Sequence, residues 1–267
     1  LTQLRTSPLK VTEPDVAATA VLSGFADQVA ARKAEVIGSA TEALCLVRVP
    51  GESTNRSGGV AGCEAANTLA RGSDAAQVVA EAFLAGSLAA DIAIQNAGGV
   101  RIAVPAGPLS MNTAFTLLPF TNVLLELPMT GLQVRDVLED AVANHLDAGQ
   151  SSGSHPYAAA LRWRLDMRQP RGSRFSQLEV RNRATGVWSA IDPARTYTVA
   201  TNDFIASGKD GYTTFGTVYA TGNYVNNFLL YTQTFVDYVR ANASIGRPAA
   251  ADYSHQSVTT AAGVALP

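Results

Sequence analysis

Apolar residues recur at helical spacing in four parts of the chain. Val21, Leu22, Phe25 and Val29 fall on one face of an amphipathic helix predicted over residues 16–36. A second helix is predicted to about residue 85, with Ser73 or Asp74 as its N-cap. Two more are predicted over residues 130–146 and 228–241.

Short apolar runs between these helices predict strands at residues 44–49, 91–95, 123–127 and 197–201. Strict alternation over residues 161–167 predicts a strand with one wet face, and residues 178–180 and 187–191 predict a hairpin. Residues 50–72 are rich in glycine and polar groups and are predicted to be loop. Because no regular βαβ rhythm emerges, we predict an α+β (mixed α/β) fold, with mixed sheets flanked by helices, in one domain spanning residues 1–267.

Composition and charge narrow the class of protein. The 267 residues are 47% hydrophobic and 16% charged with a net charge of −2, which is typical of a globular protein and shows no basic excess for nucleic acid. No apolar run approaches the roughly 18 residues of a membrane span, so none is expected. The sequence begins at Leu1 with neither Met nor a signal peptide, and we expect it to be a segment of a longer protein.

Cys45 lies in a strand-like run and Cys63 in the loop that follows. Their spacing matches no zinc signature. The two residues are predicted either to form a disulfide, which indicates an exported protein, or to be independent thiols.

Three segments carry candidate binding chemistry. Residues 96–101 read Asn-Ala-Gly-Gly-Val-Arg, in which Gly98 and Gly99 permit close backbone approach or positive φ and Arg101 offers a fork suited to phosphate. Residues 204–212 combine Phe204 with Asp210 between glycines. Residues 118–122 place a further aromatic ring beside an amide. Taken singly, each segment is better explained as a structural turn or as the site of a core phenylalanine.

As an ordered set, Asn96 to Arg101, Leu118 to Asn122, Thr130-Gly131 and Asp203 to Tyr212 resemble the C-terminal domain of the 5'-nucleotidases. That family includes bacterial UDP-sugar hydrolases and vertebrate ecto-5'-nucleotidase. The resemblance covers nearly the whole chain and implies a nucleotide-binding domain with the same fold.

The resemblance also implies roles for individual residues. A nucleobase is expected between Phe120 and Phe204, ribose hydroxyls on Asp210, and phosphate on Arg101. Further contacts are implied for Asn96, Gly98, Gly99 and Asn122. A second phosphate-facing arginine is expected at Arg71, with Arg56 as the alternative.

Lys209 departs from the family pattern by replacing a glycine. If that position requires positive φ, the lysine is strained there. Alternatively, its ammonium group is an additional anion contact. Ala97 replaces another family glycine, which is a smaller change.

In the family, hydrolysis belongs to an N-terminal metallophosphatase domain with two divalent metal ions. The three histidines, His145, His155 and His255, fit none of its motifs, and His145 and His155 are predicted to lie on the surface. We therefore expect no catalytic residue, metal ligand or cofactor in this chain, no phosphatase activity from it alone, and the metal domain of the same protein as its partner. A periplasmic, secreted or cell-surface location is expected.

Other readings stay open at this point. One is a relative acting on a UDP-sugar, a cyclic nucleotide or a thiosulfate-type substrate, although Phe120 and Phe204 favour a nucleobase over an inorganic substrate. Another is a binding module without catalysis.

Overall fold

The computed structural model describes residues 13–266. Its helices are α1 (Val16–Ala34), α2 (Ala65–Thr68), α3 (Asp74–Gly86), α4 (Met111–Leu117), α5 (Gly131–Leu146), α6 (Asp203–Ala206), α7 (Thr213–Tyr219) and α8 (Tyr231–Asn242). Its strands are β1 (Val36–Ala40), β2 (Ile92–Asn96), β3 (Gly107–Ser110), β4 (Val123–Thr130), β5 (Pro156–Ala159), β6 (Leu161–Asp166), β7 (Phe175–Arg181), β8 (Trp188–Ala190), β9 (Thr196–Asn202), β10 (Val225–Leu230), β11 (Ser244–Ile245), β12 (His255–Thr259) and β13 (Ala265–Leu266).

These strands form three sheets. The central sheet has the order β10-β4-β9-β2-β5, and the other two are β11-β1-β3 and β13-β12-β6-β7-β8. Within the central sheet β2 and β9 are parallel, whereas the other neighbouring pairs are antiparallel. The mixed α/β architecture with helices around mixed sheets is therefore confirmed.

The central sheet separates two hydrophobic cores. Side chains alternate along its strands, so that Ala93 and Leu124 face one core with α3 and α8. Ile92, Ile94 and Leu125 face the other core, where α5, α7 and the sheet containing β6 pack. A sheet covered on both faces explains why β2 and β4 are almost continuously apolar.

Two predicted helix starts are confirmed by their capping bonds. The side chain of Ser73 accepts from the Ala76 N–H at the start of α3. Thr130 and Gln133 form a reciprocal capping box at the start of α5. These bonds satisfy donors that a helix leaves free at its first turn, which is why the local sequence was sufficient to locate both starts.

The strand predicted over residues 44–49 is wrong. Only Leu44 forms a β-bridge, to Val104. Beyond it, backbone N–H groups are bound by side chains rather than by a neighbouring strand: Asp74 accepts from Cys45, Ser57 from Leu46 and Glu52 from Arg48. The run is apolar because it is buried, not because it pairs.

Two predicted helix boundaries are also corrected. Helix α1 ends at Ala34, because Val36 begins a strand that pairs with β3. The closing helix begins at Tyr231 rather than at residue 228, because Phe228 to Leu230 belong to β10 and Leu230 pairs with Val123. The apolar residues of α1 are exposed, so residues 13–266 do not bury the predicted apolar face.

Among residues 13–266, no helix has both the length and the apolar character needed to cross a membrane.

Candidate ligand-binding site

The pairing pattern of the central sheet brings the three candidate segments to one edge. Strands β2 and β9 are parallel, so the segments that follow Asn96 and Asn202 leave the sheet on the same side. Strand β4 runs antiparallel to β9, which places its beginning, next to Asn122, at that edge as well. The start of β5 and the end of β10 arrive there for the same reason.

A pocket of about 250 Å³ opens at this edge. It is lined by Arg48, Asn96, Gly98, Gly99, Arg101, Phe120, Asn122, Ser151, Gly153, Asn202, Phe204, Asp210 and Tyr231. It thus brings together every site residue expected from the sequence except the second phosphate-facing arginine, for which Arg71 and Arg56 were the candidates; Lys209 is also outside the lining. Of those it adds, Arg48, Ser151 and Tyr231 offer polar groups that no sequence motif indicated.

Two guanidinium groups make one side of the pocket cationic. Arg101 is exposed and donates to the Gly98 carbonyl at 3.1 Å, with no carboxylate partner within residues 13–266. Arg48 is half-buried, and its Nε is buried with no hydrogen-bond partner in the described chain. Burial lowers the pKa of Arg48, and the neighbouring charges of Arg56 and Arg101 lower it further. An anion here would relieve both the unsatisfied donor and the repulsion.

A chain of amides holds the carboxylate of Asp210. The Asn202 side chain donates to Gln95 Oε1 at 2.8 Å and to Asn96 Oδ1 at 3.2 Å, and Asn96 Nδ2 then donates to Asp210 Oδ2 at 3.0 Å. Within the described chain, no side chain or backbone group donates a hydrogen bond to Asp210 Oδ1. This oxygen can therefore accept from a ligand hydroxyl. The buried Gln95 and Asn202 were missed because their roles depend on contacts between β2 and β9.

The aromatic side of the pocket is held by polar bonds behind it. Phe120 and Phe204 are 48% and 41% exposed, far more than core phenylalanines. The Phe120 N–H donates to the Tyr231 hydroxyl at 2.8 Å. Asn122 Nδ2 donates to Asp203 Oδ1 at 2.6 Å, which orients the amide beside the rings.

Gly98 and Gly99 serve close packing rather than positive φ. Neither has φ in the left-handed region. A Cβ on Gly98 would lie 3.0 Å from the Cα of Gly153, and one on Gly99 would lie 2.3 Å from Gln95 Nε2. The two loops that line this part of the pocket are therefore in direct backbone contact.

The strain considered for Lys209 falls on its neighbour. Lys209 is exposed and has an ordinary φ, whereas Asp210 takes φ of 54°. Lys209 is also absent from the pocket lining. A carboxylate held in this sparsely populated conformation is typical of a functional position.

The two arginines considered for the second phosphate contact lie outside the pocket lining. Arg71 donates to Asp74 from Nε at 2.7 Å and from Nη2 at 3.0 Å. Arg56 forms an ion pair with Glu52 beside the pocket. Arg48 instead reaches the pocket, and its signal in the sequence was hidden in a run that we interpreted as a strand.

The two cysteines form a disulfide. Cys45 and Cys63, 18 positions apart, are joined by an S–S bond and are both buried. The bond ties the loop after residue 50 to the segment that carries Arg48.

The prediction that His145 and His155 are surface residues is wrong. His155 is fully buried and His145 is half-buried. His155 Nε2 lies 2.9 Å from His255 Nε2, and the two rings stack. Desolvation lowers the pKa of all three histidines, to about 3 for His255. The loop sequence around His155 conceals this burial because β12, far along the chain, covers it.

No group of three or more His, Cys, Asp or Glu side chains within residues 13–266 could hold a metal ion. The residues present therefore do not fit the two-metal centre that the resemblance implies elsewhere, and we derive no step through a metal.

The fold and pocket define a class: a mixed α/β domain with a pocket at the edge of its central sheet, cationic on one side and aromatic on the other. The model of the family "5'-nucleotidase, C-terminal domain" matches residues 48–217. The chain belongs to this family.

Relatives agree with this assignment. The NAD 5'-nucleotidase of Haemophilus influenzae is 36% identical over 209 residues, which are 77% of this chain and 33% of that protein. A probable 5'-nucleotidase of Treponema pallidum is 34% identical over 178 residues, 64% of this chain and 30% of its own. The solved structure of Haemophilus influenzae NAD nucleotidase superposes with a TM-score of 0.74 at 29% identity, covering 88% of this chain and 40% of that one. The chain thus spans about a third of the length of these two curated relatives.

Proposed function

We propose that this chain is the nucleotide-binding domain of a 5'-nucleotidase-type hydrolase that dephosphorylates nucleotides. The observation that supports this most directly is the pocket, which combines two half-exposed phenylalanines, one carboxylate and two arginines at a single sheet edge. The aromatic rings suit the base of a nucleotide, the carboxylate suits the ribose hydroxyls, and the arginines suit the phosphate.

Each contact has a physical basis. Phe120 and Phe204 stack on a nucleobase, which contributes about 1–3 kcal/mol per base. Asp210 accepts from ribose hydroxyls through the oxygen that the amide chain leaves free. Arg101 and Arg48 bind phosphate, and Arg48 replaces Arg71 in this role because it lines the pocket while Arg71 is bound to Asp74.

Hydrolysis itself is assigned to the N-terminal metallophosphatase domain and its two divalent metal ions in the longer protein. In this proposal the residues of this chain bind and orient the nucleotide. An exported protein, periplasmic or secreted, is supported by the Cys45–Cys63 disulfide.

The test is a calorimetric titration of the domain with AMP and adenosine. Phe204→Ala should weaken the affinity for both ligands about tenfold or more, because the nucleobase loses one of its two stacking faces. Arg101→Ala and Arg48→Ala should each weaken the affinity for AMP by a similar factor. The affinity for adenosine should stay nearly unchanged, because only AMP carries the phosphate.

Two matched variants serve as controls. Phe115 is 50% exposed on α4, outside the pocket lining, and Phe115→Ala should leave both affinities unchanged. Arg71→Ala should likewise leave the affinity for AMP and adenosine unchanged in the fraction of the variant that is folded. Unaltered AMP affinity in Arg101→Ala would contradict the phosphate assignment, and an equal loss in Arg71→Ala would contradict the choice of Arg48.

A further inference from the structure

Glu52 lies behind the cationic side of the pocket and is outside its lining. Its Oε1 accepts from the Arg48 N–H at 2.7 Å and from the Val49 N–H at 3.3 Å, and it also pairs with Arg56. The side chain is only 16% exposed. One carboxylate oxygen thus fixes the backbone from which the Arg48 side chain extends.

The second oxygen of Glu52 reaches the opposite loop. Glu52 Oε2 accepts from Ser152 Oγ at 3.5 Å. Arg48 Nη1 donates to Ser151 Oγ at 3.4 Å, and that hydroxyl oxygen also accepts from the Gly153 N–H at 3.1 Å. The loop over residues 151–154 and the segment that carries Arg48 are therefore bridged twice, once by Glu52 and once by Arg48.

We propose that Glu52 is a positioning residue that holds Arg48 and the 151–154 loop in the geometry that receives an anionic ligand group. The proposal rests on the proposed function for the identity of that anion, a nucleotide phosphate. Glu52 acts through Arg48 and Ser152 without touching the ligand.

A positioning role and a purely electrostatic role of Glu52 predict opposite changes in anion affinity when Glu52 is removed. Glu52 is an acidic neighbour of Arg48 and pairs with Arg56, and both Asp210 and Arg101 are also close enough to perturb Arg48. If Glu52 acted only through its charge, its removal would make the pocket more positive and would tighten binding of an anion. If it acts by positioning, removal disorders the guanidinium, and binding weakens despite the added positive charge.

The experiment compares Glu52→Ala and Glu52→Gln with wild type by titration with AMP and adenosine. Glu52→Ala should weaken the affinity for AMP about tenfold, which is the effect of losing a well-placed charged contact. The affinity for adenosine should change by less than about twofold. Glu52→Gln retains an oxygen for the Arg48 and Val49 N–H groups and should lie between wild type and alanine.

Glu64 provides the matched control. It belongs to the same loop and also accepts a backbone N–H, from Gly62 at 3.0 Å, but has no bond to Arg48. Glu64→Ala should leave AMP affinity unchanged. Amide hydrogen exchange adds a readout that needs no ligand: exchange at Gly153 and Ser154 should accelerate in Glu52→Ala and stay unchanged in Glu64→Ala.

AMP affinity that is unchanged or higher in folded Glu52→Ala overturns the proposal, as does an equal loss for adenosine, which would indicate a merely structural residue. If wild type binds neither ligand, the proposed function fails, and the exchange data still decide on Glu52: unaltered exchange at residues 151–154 would refute the bridge.

Discussion

Asp74 shows how much a single buried side chain can organise. Its side chain is fully buried and accepts from Arg71, Arg247 and Tyr253, and from the backbone N–H of Cys45. Cys45 and two residues near the end of the chain, Arg247 and Tyr253, thus meet Arg71 at this carboxylate. If this side chain were neutral, Arg71 would lose its ion-pair partner and Arg247 would keep only Glu42.

We therefore expect Asp74→Asn to lower the free energy of unfolding by about 3–5 kcal/mol, the cost of breaking a buried ion pair from one side. Urea denaturation measures this. Asp136→Asn is the control, because Asp136 and its partner Arg135 are each 41% exposed and such pairs contribute at most about 1 kcal/mol. Equal effects of the two substitutions would show that Asp74 does not stabilise the fold in this way.

The loop between β1 and α3 depends on cross-links more than on secondary structure. Apart from the short α2, it contains no helix or strand, and residues 46–56 are held by side chains such as Ser57 and Glu52. The Cys45–Cys63 disulfide closes the loop. An irregular segment of this kind loses much of its order when its cross-link is removed.

Reduction of the disulfide should lower the free energy of unfolding by about 3 kcal/mol, as expected for a loop of this size. The measurement is urea unfolding with and without reductant. A Cys45→Ala/Cys63→Ala double variant should resemble the reduced protein and should not respond to reductant. If reductant lowered the free energy of unfolding of the double variant as much as that of wild type, the effect would not be due to this disulfide.

At the scale of the whole molecule, strand β12 brings His255 against His155. His255 in β12 pairs with His155, and Trp163 and Tyr157 pack on the same ring. Burial keeps both histidines neutral in the folded state, with the pKa of His255 lowered to about 3. The unfolded chain binds protons below its ordinary histidine pKa near 6.5, while the folded chain does not.

Stability should therefore fall as pH is lowered from about 6.5 toward the folded-state pKa. The expected slope is about 1.4 kcal/mol per pH unit for each buried histidine. Chemical denaturation between pH 6 and pH 5 measures it. Glu81, whose pKa burial raises to about 7, adds a slope of the opposite sign that wild type and variant share, so the difference between the two slopes is the readout. His255→Gln should reduce the slope by one histidine's share, and a slope unchanged by this substitution would contradict the assignment.

Much of the fold and site was predictable from local pattern. Helix starts at Ser73 and Thr130 are determined by capping bonds within one turn, and β2 and β9 by short apolar runs. The candidate binding segments around Arg101, Phe120 and Asp210 are indicated by their order, and the structure brings them to one pocket. Local chemistry sufficed for the helix starts and the strands because these depend on neighbours a few residues away, whereas the candidate binding segments are indicated only by the resemblance of the ordered set to the family.

Only the tertiary structure decided the rest. Arg48 reaches the pocket, Arg71 turns to Asp74, and His155 is buried under a strand a hundred residues later. The apolar run at residues 44–49 is buried without pairing because distant side chains bind its N–H groups. A sequence determines what each short segment can form, but the direction of a long polar side chain is determined by partners that only the folded chain brings within reach.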